Sequence, residues 1–198
     1  MSVVVTGADG YIGWPTALRV ADRTDERVIG VDNFSRREWV EDVGSLSATD
    51  VADPDTRVAA AREVHGLHNL SFVKGDLTDR AFVDELLQVH EPETVVHTAA
   101  QPSAPYSQIN GERANFTQHN NMQATRNLAF GLAENDLADT HLIETTTTGV
   151  YGAPAFPIPE GGAVMENDGE RDEVPFPAMA GSFYHMTKSH DAANLRLA

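Results

Sequence analysis

Eight residues near the amino terminus constrain this chain most: Thr6-Gly7-Ala8-Asp9-Gly10-Tyr11-Ile12-Gly13, three glycines at three-residue intervals. The preceding run, Ser2–Thr6 (SVVVT), reads as a buried strand and the following stretch, Trp14–Arg23, as an amphipathic helix. At such a junction Gly7 permits a tight turn, Gly10 lets the backbone approach a pyrophosphate, and Gly13 allows close helix packing. The helix start adds N–H donors and the positive end of its dipole, which brings Tyr11 and Ile12 into the same candidate site. Asp32 follows Gly13 by 19 residues, at the end of a second strand, Val28–Asp32. A carboxylate there accepts from both hydroxyls of a ribose and repels a 2′-phosphate, so NAD is expected over NADP. Asn33 and Arg36 belong to this site, while Arg36 and Arg37 read either as a solvated loop or as pyrophosphate contacts.

Further β-branched runs at Leu70–Lys74, Thr94–Thr98 and His141–Thr146 alternate with helical periodicity over Arg80–Val89 and Glu112–Glu134. Five strands with crossover helices predict an α/β fold, a doubly wound parallel sheet of Rossmann type, with ligands outside the carboxyl ends of the strands. After the third strand, Asp76 and Leu77 could face an adenine amino group. Equally, Asp76 could belong to a helix N-terminus for which Thr78 is the expected cap. Residues 33–68 are too long for an ordinary loop and should contain a helix starting near Pro54; AVMENDGERDEV reads as a hairpin turning at Asn167-Asp168-Gly169.

Composition excludes several classes of function. Lys plus Arg 14 against Asp plus Glu 30 gives a net charge of −16, which disfavours nucleic acid and anionic membranes as partners. Cysteine is absent, so disulfides, Cys-ligated metals and thiol nucleophiles are excluded. His65 and His68 lack a third ligand nearby, and no metal is expected. The opening residues lack the basic and apolar segments of a secretory signal, and no 18-residue apolar window exists, so a cytoplasmic location is expected.

A second constellation lies near the carboxyl end. Tyr184 and Lys188 are four apart, on one helical face, and follow the Thr145–Thr148 run and Gly149-Val150-Tyr151-Gly152 at the end of the fifth strand. Tyrosine is a poor base at its ordinary pKa of about 10. An ammonium at roughly 4 Å, with an effective dielectric near 20, contributes about 4 kcal/mol, or about three pKa units. Lys188 is therefore expected to lower Tyr184 toward working pH, with Thr147 hydrogen-bonding the same substrate hydroxyl.

Gly7, Gly10, Gly13, Asp32, Thr147, Tyr184 and Lys188 together make the chain resemble the extended short-chain dehydrogenase/reductase family, the NAD-dependent epimerases and dehydratases. Asp32-Asn33 with Arg36-Arg37, Gln101 with Ser103-Ala104-Pro105-Tyr106-Ser107, Thr117-Gln118-His119-Asn120-Asn121 and Ser182-Phe183-Tyr184-His185 make it resemble the UDP-sulfoquinovose synthases within that family. The resemblance implies an NAD-dependent enzyme that converts a UDP-sugar, UDP-glucose with sulfite, through a 4-keto intermediate. It also implies substrate contacts at Gln101, Ser103, Tyr106, Asn121, Thr147 and Tyr184, His185 in the active site, Lys188 on the cofactor ribose, and a homodimer for the full-length protein. Ala100, Pro102 and Val150 stand where that branch carries Glu, Arg and Glu, and AAQP and TTGVYG are similar instead to UDP-sugar 4-epimerases and 4,6-dehydratases. An NAD-binding module without turnover is the alternative of another class. The chain stops within a helical stretch that opens near Gly181. Residues 1–198 are therefore expected to be a truncated NAD-binding domain, inactive in isolation, whose carboxyl-terminal substrate domain is absent.

Overall fold

Five runs rich in Val and Ile form a single parallel sheet in the computed structural model, which describes residues 1–198. They are β1 (Ser2–Thr6), β2 (Arg27–Asp32), β3 (Leu70–Lys74), β4 (Thr94–His97) and β5 (His141–Glu144), in the order β3-β2-β1-β4-β5. The chain winds outward from β1 to β3, then crosses back past β1 to β4 and β5, which is the expected doubly wound order. Thr6 pairs with Val31 on one side and His97 on the other, so the carboxyl ends of β1, β2 and β4 finish together at the point where the winding reverses.

Helices α1 (Gly13–Arg23), α2 (Ser35–Asp42), α3 (Pro54–His65), α4 (Arg80–His90), α5 (Gly111–Glu134) and α6 (Phe183–Leu197) complete the fold. Alternation along the strands feeds two cores. Val4, Ile29, Val31 and Val95 pack against Val83 and Leu87 of α4 and Leu128 of α5. Val5, Val28 and Leu70 pack against Ala17 and Ala21 of α1 and Val58 and Ala61 of α3. Burial on both faces is why β1 and β2 read as continuous apolar runs, whereas β5 at the sheet edge is only partly covered. Each fully buried Val or Leu stabilises the fold by about 1.5–3 kcal/mol relative to exposure.

Several boundaries differ from the sequence expectation. β4 and β5 end at His97 and Glu144, because Thr98 and Thr145 donate through their hydroxyls as well as their N–H groups to the carbonyls of Thr6 and His97. The cap of α4 is Asp79, not Thr78: its carboxylate accepts from Ala81 N at 2.9 Å, while Thr78 donates its N–H and O–H to Asp76 Oδ1 at 2.8 and 2.7 Å. α3 begins at Pro54 as expected, capped by Asp53. α2 has no sequence signal, since none of its residues is buried; it is held at its edge by Trp39 against Phe116 and by an Arg113–Asp42 ion pair. The hairpin forms between β6 (Gly162–Asn167) and β7 (Glu170–Pro175), with positive φ at Asp168 and Gly169 as a two-residue primed turn requires. No helix is long and apolar enough to cross a membrane.

Candidate active site

A cavity of about 480 Å³ opens where the winding reverses. Gly7, Gly10, Tyr11, Ile12, Gly13, Asp32, Asn33, Arg36, Asp76 and Leu77 all line it, so the glycine loop and the β2 carboxylate share one space. Gly7 has a φ of +70°, and a Cβ there would lie 2.7 Å from Ala99 N. A Cβ on Gly13 would lie 2.6 Å from the Gly7 carbonyl carbon. The glycines therefore pack the loop against β4 and seat α1 directly on it. Ile12, at the α1 N-cap, makes no side-chain cap; Trp14 N donates to Gly10 O at 3.2 Å, Pro15 has no N–H, and Thr16 N donates to Ile12 O at 3.1 Å, so Gly13 N is the donor of the first turn left for a ligand.

Asp32 holds the rim. Its Oδ2 accepts from Asp9 N at 3.0 Å and its Oδ1 from Phe34 N at 2.7 Å. Burial pushes its pKa up, and the two N–H groups partly offset that. For Asp76, burial is outweighed by hydrogen bonds from Thr78 and from Asn33 Nδ2, the last at 3.0 Å, so its pKa is held down. Asp76 thus lines the cavity and also braces the turn before α4.

Arg37, with its side chain 37% exposed, turns to Asp9 and not to the cavity. Its Nε and Nη2 donate to the two oxygens of Asp9 at 2.7 and 2.8 Å, and Arg57 Nη1 reaches Asp9 Oδ1 at 2.8 Å. Arg57 also lies over the Trp14 ring at 4.0 Å. Asp9, only 6% exposed, therefore ties the glycine loop to α2 and α3 and occupies two cations beside the site. The sequence offered no spacing that linked Asp9 to Arg57, because the partners are 48 residues apart.

A second cavity of about 360 Å³ adjoins the first and shares Arg36, Trp39, Ser103 and Pro105 with it. Gln101, Ser103 and Tyr106 line it. Asn121 does not. It is buried in α5, its Oδ1 accepts from Gln101 N at 2.7 Å, and its Nδ2 donates to Gln101 O and Thr187 Oγ1 at 3.2 and 3.0 Å. Asn121 thereby fixes the Gln101 loop to α6. Ser107 Oγ makes a second tie, accepting from Tyr184 N at 3.1 Å.

Thr147, Tyr184, His185 and Lys188 line neither cavity and form a cluster of their own around α6. Ser182 caps that helix, accepting from His185 N at 3.1 Å. The His185 ring lies against Gly149, where a Cβ would come within 2.5 Å of two ring carbons, so the turn after β5 and the start of α6 are in close contact. Thr147 Oγ1 accepts from Gly149 N at 3.2 Å in that turn. Lys188 is 3% exposed, and its Nζ donates to Glu144 Oε1 at 2.6 Å and lies 3.5 Å from Asp191 Oδ2.

The expected lowering of the Tyr184 pKa is not what this geometry produces. Burial pushes the phenol up, and the Lys188 ammonium only partly opposes this because Glu144 and Asp191 share its charge and repel a phenolate. Glu144 is itself pushed up to about 7 by burial, with Lys188 opposing and Asp191 reinforcing. Lys188 rises, since its two carboxylates outweigh burial. Both acids escaped the sequence reading, although each left a trace: Glu144 interrupts the apolar run of β5, and Asp191 lies three residues beyond Lys188 on the same helical face.

The profile of the NAD dependent epimerase/dehydratase family matches residues 3–196. Over 192 residues the chain is 42% identical to a UDP-sulfoquinovose synthase of Sulfolobus acidocaldarius, an alignment covering 96% of this chain and 48% of that one. It is 38% identical to the chloroplastic UDP-sulfoquinovose synthase of Spinacia oleracea, with 98% and 39% covered. The chain thus spans half or less of these relatives' length. Among solved structures, the Bordetella bronchiseptica enzyme WbmH in complex with NAD+ superposes with a TM-score of 0.60 at 26% identity, covering 99% of this chain and 52% of that one.

Proposed function

The chain belongs to the NAD dependent epimerase/dehydratase family, and on that premise we propose that it is the cofactor-binding domain of a UDP-sulfoquinovose synthase-like enzyme acting on UDP-glucose and sulfite. The observation that carries this reading is the single cavity shared by the glycine loop and Asp32, in a chain 42% identical to such a synthase. The residues fit NAD: Gly7 and Gly13 leave no room for side chains at the turn, Gly13 N at the start of α1 is free to donate to a pyrophosphate, and Asp32 and Asp76 line the cavity where an adenosine would lie. Bound there, NAD supplies the hydride acceptor for oxidation at the sugar C4.

The chain's own residues would do the rest. Tyr184 takes the proton of the 4-hydroxyl, Thr147 holds that hydroxyl in line, and Lys188 governs the tyrosine's charge. Gln101, Ser103 and Tyr106 orient the sugar from the second cavity, and Asn121 acts through them by fixing their loop to α6. His185 braces the turn carrying Thr147. We place the uridine contacts in a substrate domain outside residues 1–198, and the whole protein in the cytoplasm as a homodimer.

A second reading, a UDP-sugar 4-epimerase or 4,6-dehydratase, is favoured by the uncharged cavity wall at Ala100 and Pro102 and by the buried Val150. Incubating the whole protein with UDP-glucose, with and without sulfite, and weighing the nucleotide product separates the two. A product heavier than UDP-glucose by sulfurous acid less the one water that the C6 hydroxyl leaves as supports the synthase; with sulfite present, an isomer of unchanged mass resolved from UDP-glucose by chromatography, or a product lighter by water, replaces it with the epimerase or the dehydratase.

A further inference from the structure

Behind Tyr184 lies a buried group of charges that the proposed chemistry does not use. Lys188 of α6 is flanked by Glu144 from β5 and Asp191 from its own helix, with side-chain exposures of 3, 10 and 0%. One cation thus faces two anions among largely buried side chains. Glu144 Oε2 and both oxygens of Asp191 have no hydrogen-bond partner. Burying a net negative charge with three unmet acceptor atoms costs several kcal/mol, and the usual relief is to retain a proton.

The neighbours leave only one place for that proton. From β4, His97 Nε2 lies 3.7 Å from Glu144 Oε2, but its ring is held neutral, with a pKa lowered to about 3 by burial and by Lys188. Thr6 and Thr125 engage its two nitrogens at 2.7 and 3.3 Å. Tyr184 and His190, both on α6, are the remaining titratable neighbours, and His190 acts on Asp191 only as a minor influence that favours its ionised form, behind burial, Lys188 and Thr125. The proton is therefore held by the Glu144–Asp191 pair. With the pair protonated once, the Lys188 ammonium is shared less and more of its field reaches the phenol. With the pair fully ionised, the ammonium is claimed and the phenolate is repelled.

We propose that Glu144, backed by Asp191, is a positioning residue that controls how much of the Lys188 charge reaches Tyr184, and so sets the basicity of that tyrosine. The proposal rests on the reading of Tyr184 as the base in C4 oxidation, but its test needs neither cofactor nor substrate. The Tyr184 phenolate is titrated by ultraviolet difference between the wild type and Tyr184→Phe, in the full chain, and again in each variant background. Glu144→Gln should lower the midpoint of Tyr184 ionisation by about one pH unit, about tenfold more phenolate at a given pH, since a unit charge in this setting is worth at least that much. Asp191→Asn should move it the same way, and Glu144→Asp, which keeps the charge, should stay near the wild type. An unchanged or raised midpoint in Glu144→Gln overturns the proposal. Should that variant fail to fold, Asp191→Asn decides alone, a lowered midpoint supporting the proposal and an unmoved one overturning it. Absence of turnover with UDP-glucose would count against the function and leave this titration unaffected.

Discussion

Replacing Gly13 by alanine tests the glycine loop at its tightest point. The new methyl would sit 2.6 Å from the Gly7 carbonyl carbon and 2.9 Å from Ala8 Cα, and closer still to the Gly7 oxygen. Carbon atoms in comfortable contact lie about 3.5–4.0 Å apart, so either the loop or the start of α1 must move by roughly 1 Å. Both sides of the clash are backbone, so no side chain can rotate away. Overpacking of this kind costs about 1–3 kcal/mol of stability, a fall in Tm of about 2–12 °C for a chain of this size. The functional effect should be larger in proportion. The same 1 Å displaces Gly13 N, the donor that the NAD reading aims at the pyrophosphate, and losing one hydrogen bond to a charged group, about 1.5–3 kcal/mol, weakens NAD binding by roughly 10- to 100-fold. Paired calorimetric titrations with NAD and thermal melts on Gly13→Ala and wild type supply both numbers. A variant that binds NAD within about threefold of the wild type and melts at the same temperature would show that the close approach of α1 to Gly7 is not what shapes the site.

Three further outcomes follow from individual contacts. Tyr184→Phe should abolish turnover in the whole enzyme, measured with UDP-glucose, while leaving NAD affinity within about twofold, because only the proton-carrying oxygen is removed; retention of most of the rate would exclude Tyr184 as the base. Asp9→Asn should release Arg37 and Arg57 toward the ribose and raise NADP affinity relative to NAD by about tenfold, the contribution of one charge-assisted hydrogen bond; an unmoved ratio of the two Kd values would show that the arginines stay put. Glu144 has a folded pKa of about 7 against an ordinary 4.5, so the folded state binds more protons and loses stability as pH rises between those values. Denaturant unfolding should show wild type losing up to about 3 kcal/mol relative to Glu144→Gln from pH 4.5 to 7, and a pH-independent difference would remove the buried proton.

Much of this architecture was legible in the sequence because it rests on local signals. The glycine loop, the Asp32 spacing and the Asn167-Asp168-Gly169 turn each demand a particular backbone, and each formed where those residues stood. Buried strands flanked by amphipathic helices left a period that α4 and α5 kept almost to the residue. What could not be read depends on groups distant in sequence. α2 has no buried face to leave a pattern, and the Asp9–Arg57 pair spans 48 residues. The Tyr184 environment was misread for a similar reason: four-residue spacing correctly put Lys188 on the same face, but the strand that brings Glu144 to it begins 47 residues earlier. Asn121 reads from its surrounding motif as a substrate contact, yet burial in α5 turns its amide inward to the Gln101 loop.

The most direct test is a calorimetric titration of this chain with NAD and with NADP, repeated on Asp32→Ala. With the glycine loop and the Asp32 carboxylate in one cavity, NAD should bind one per chain and about tenfold or more tighter than NADP. Asp32→Ala should weaken NAD and bring the two cofactors level. NADP binding as tightly as NAD to the wild type, or Asp32→Ala leaving the preference intact, would contradict the assignment of this cavity to NAD.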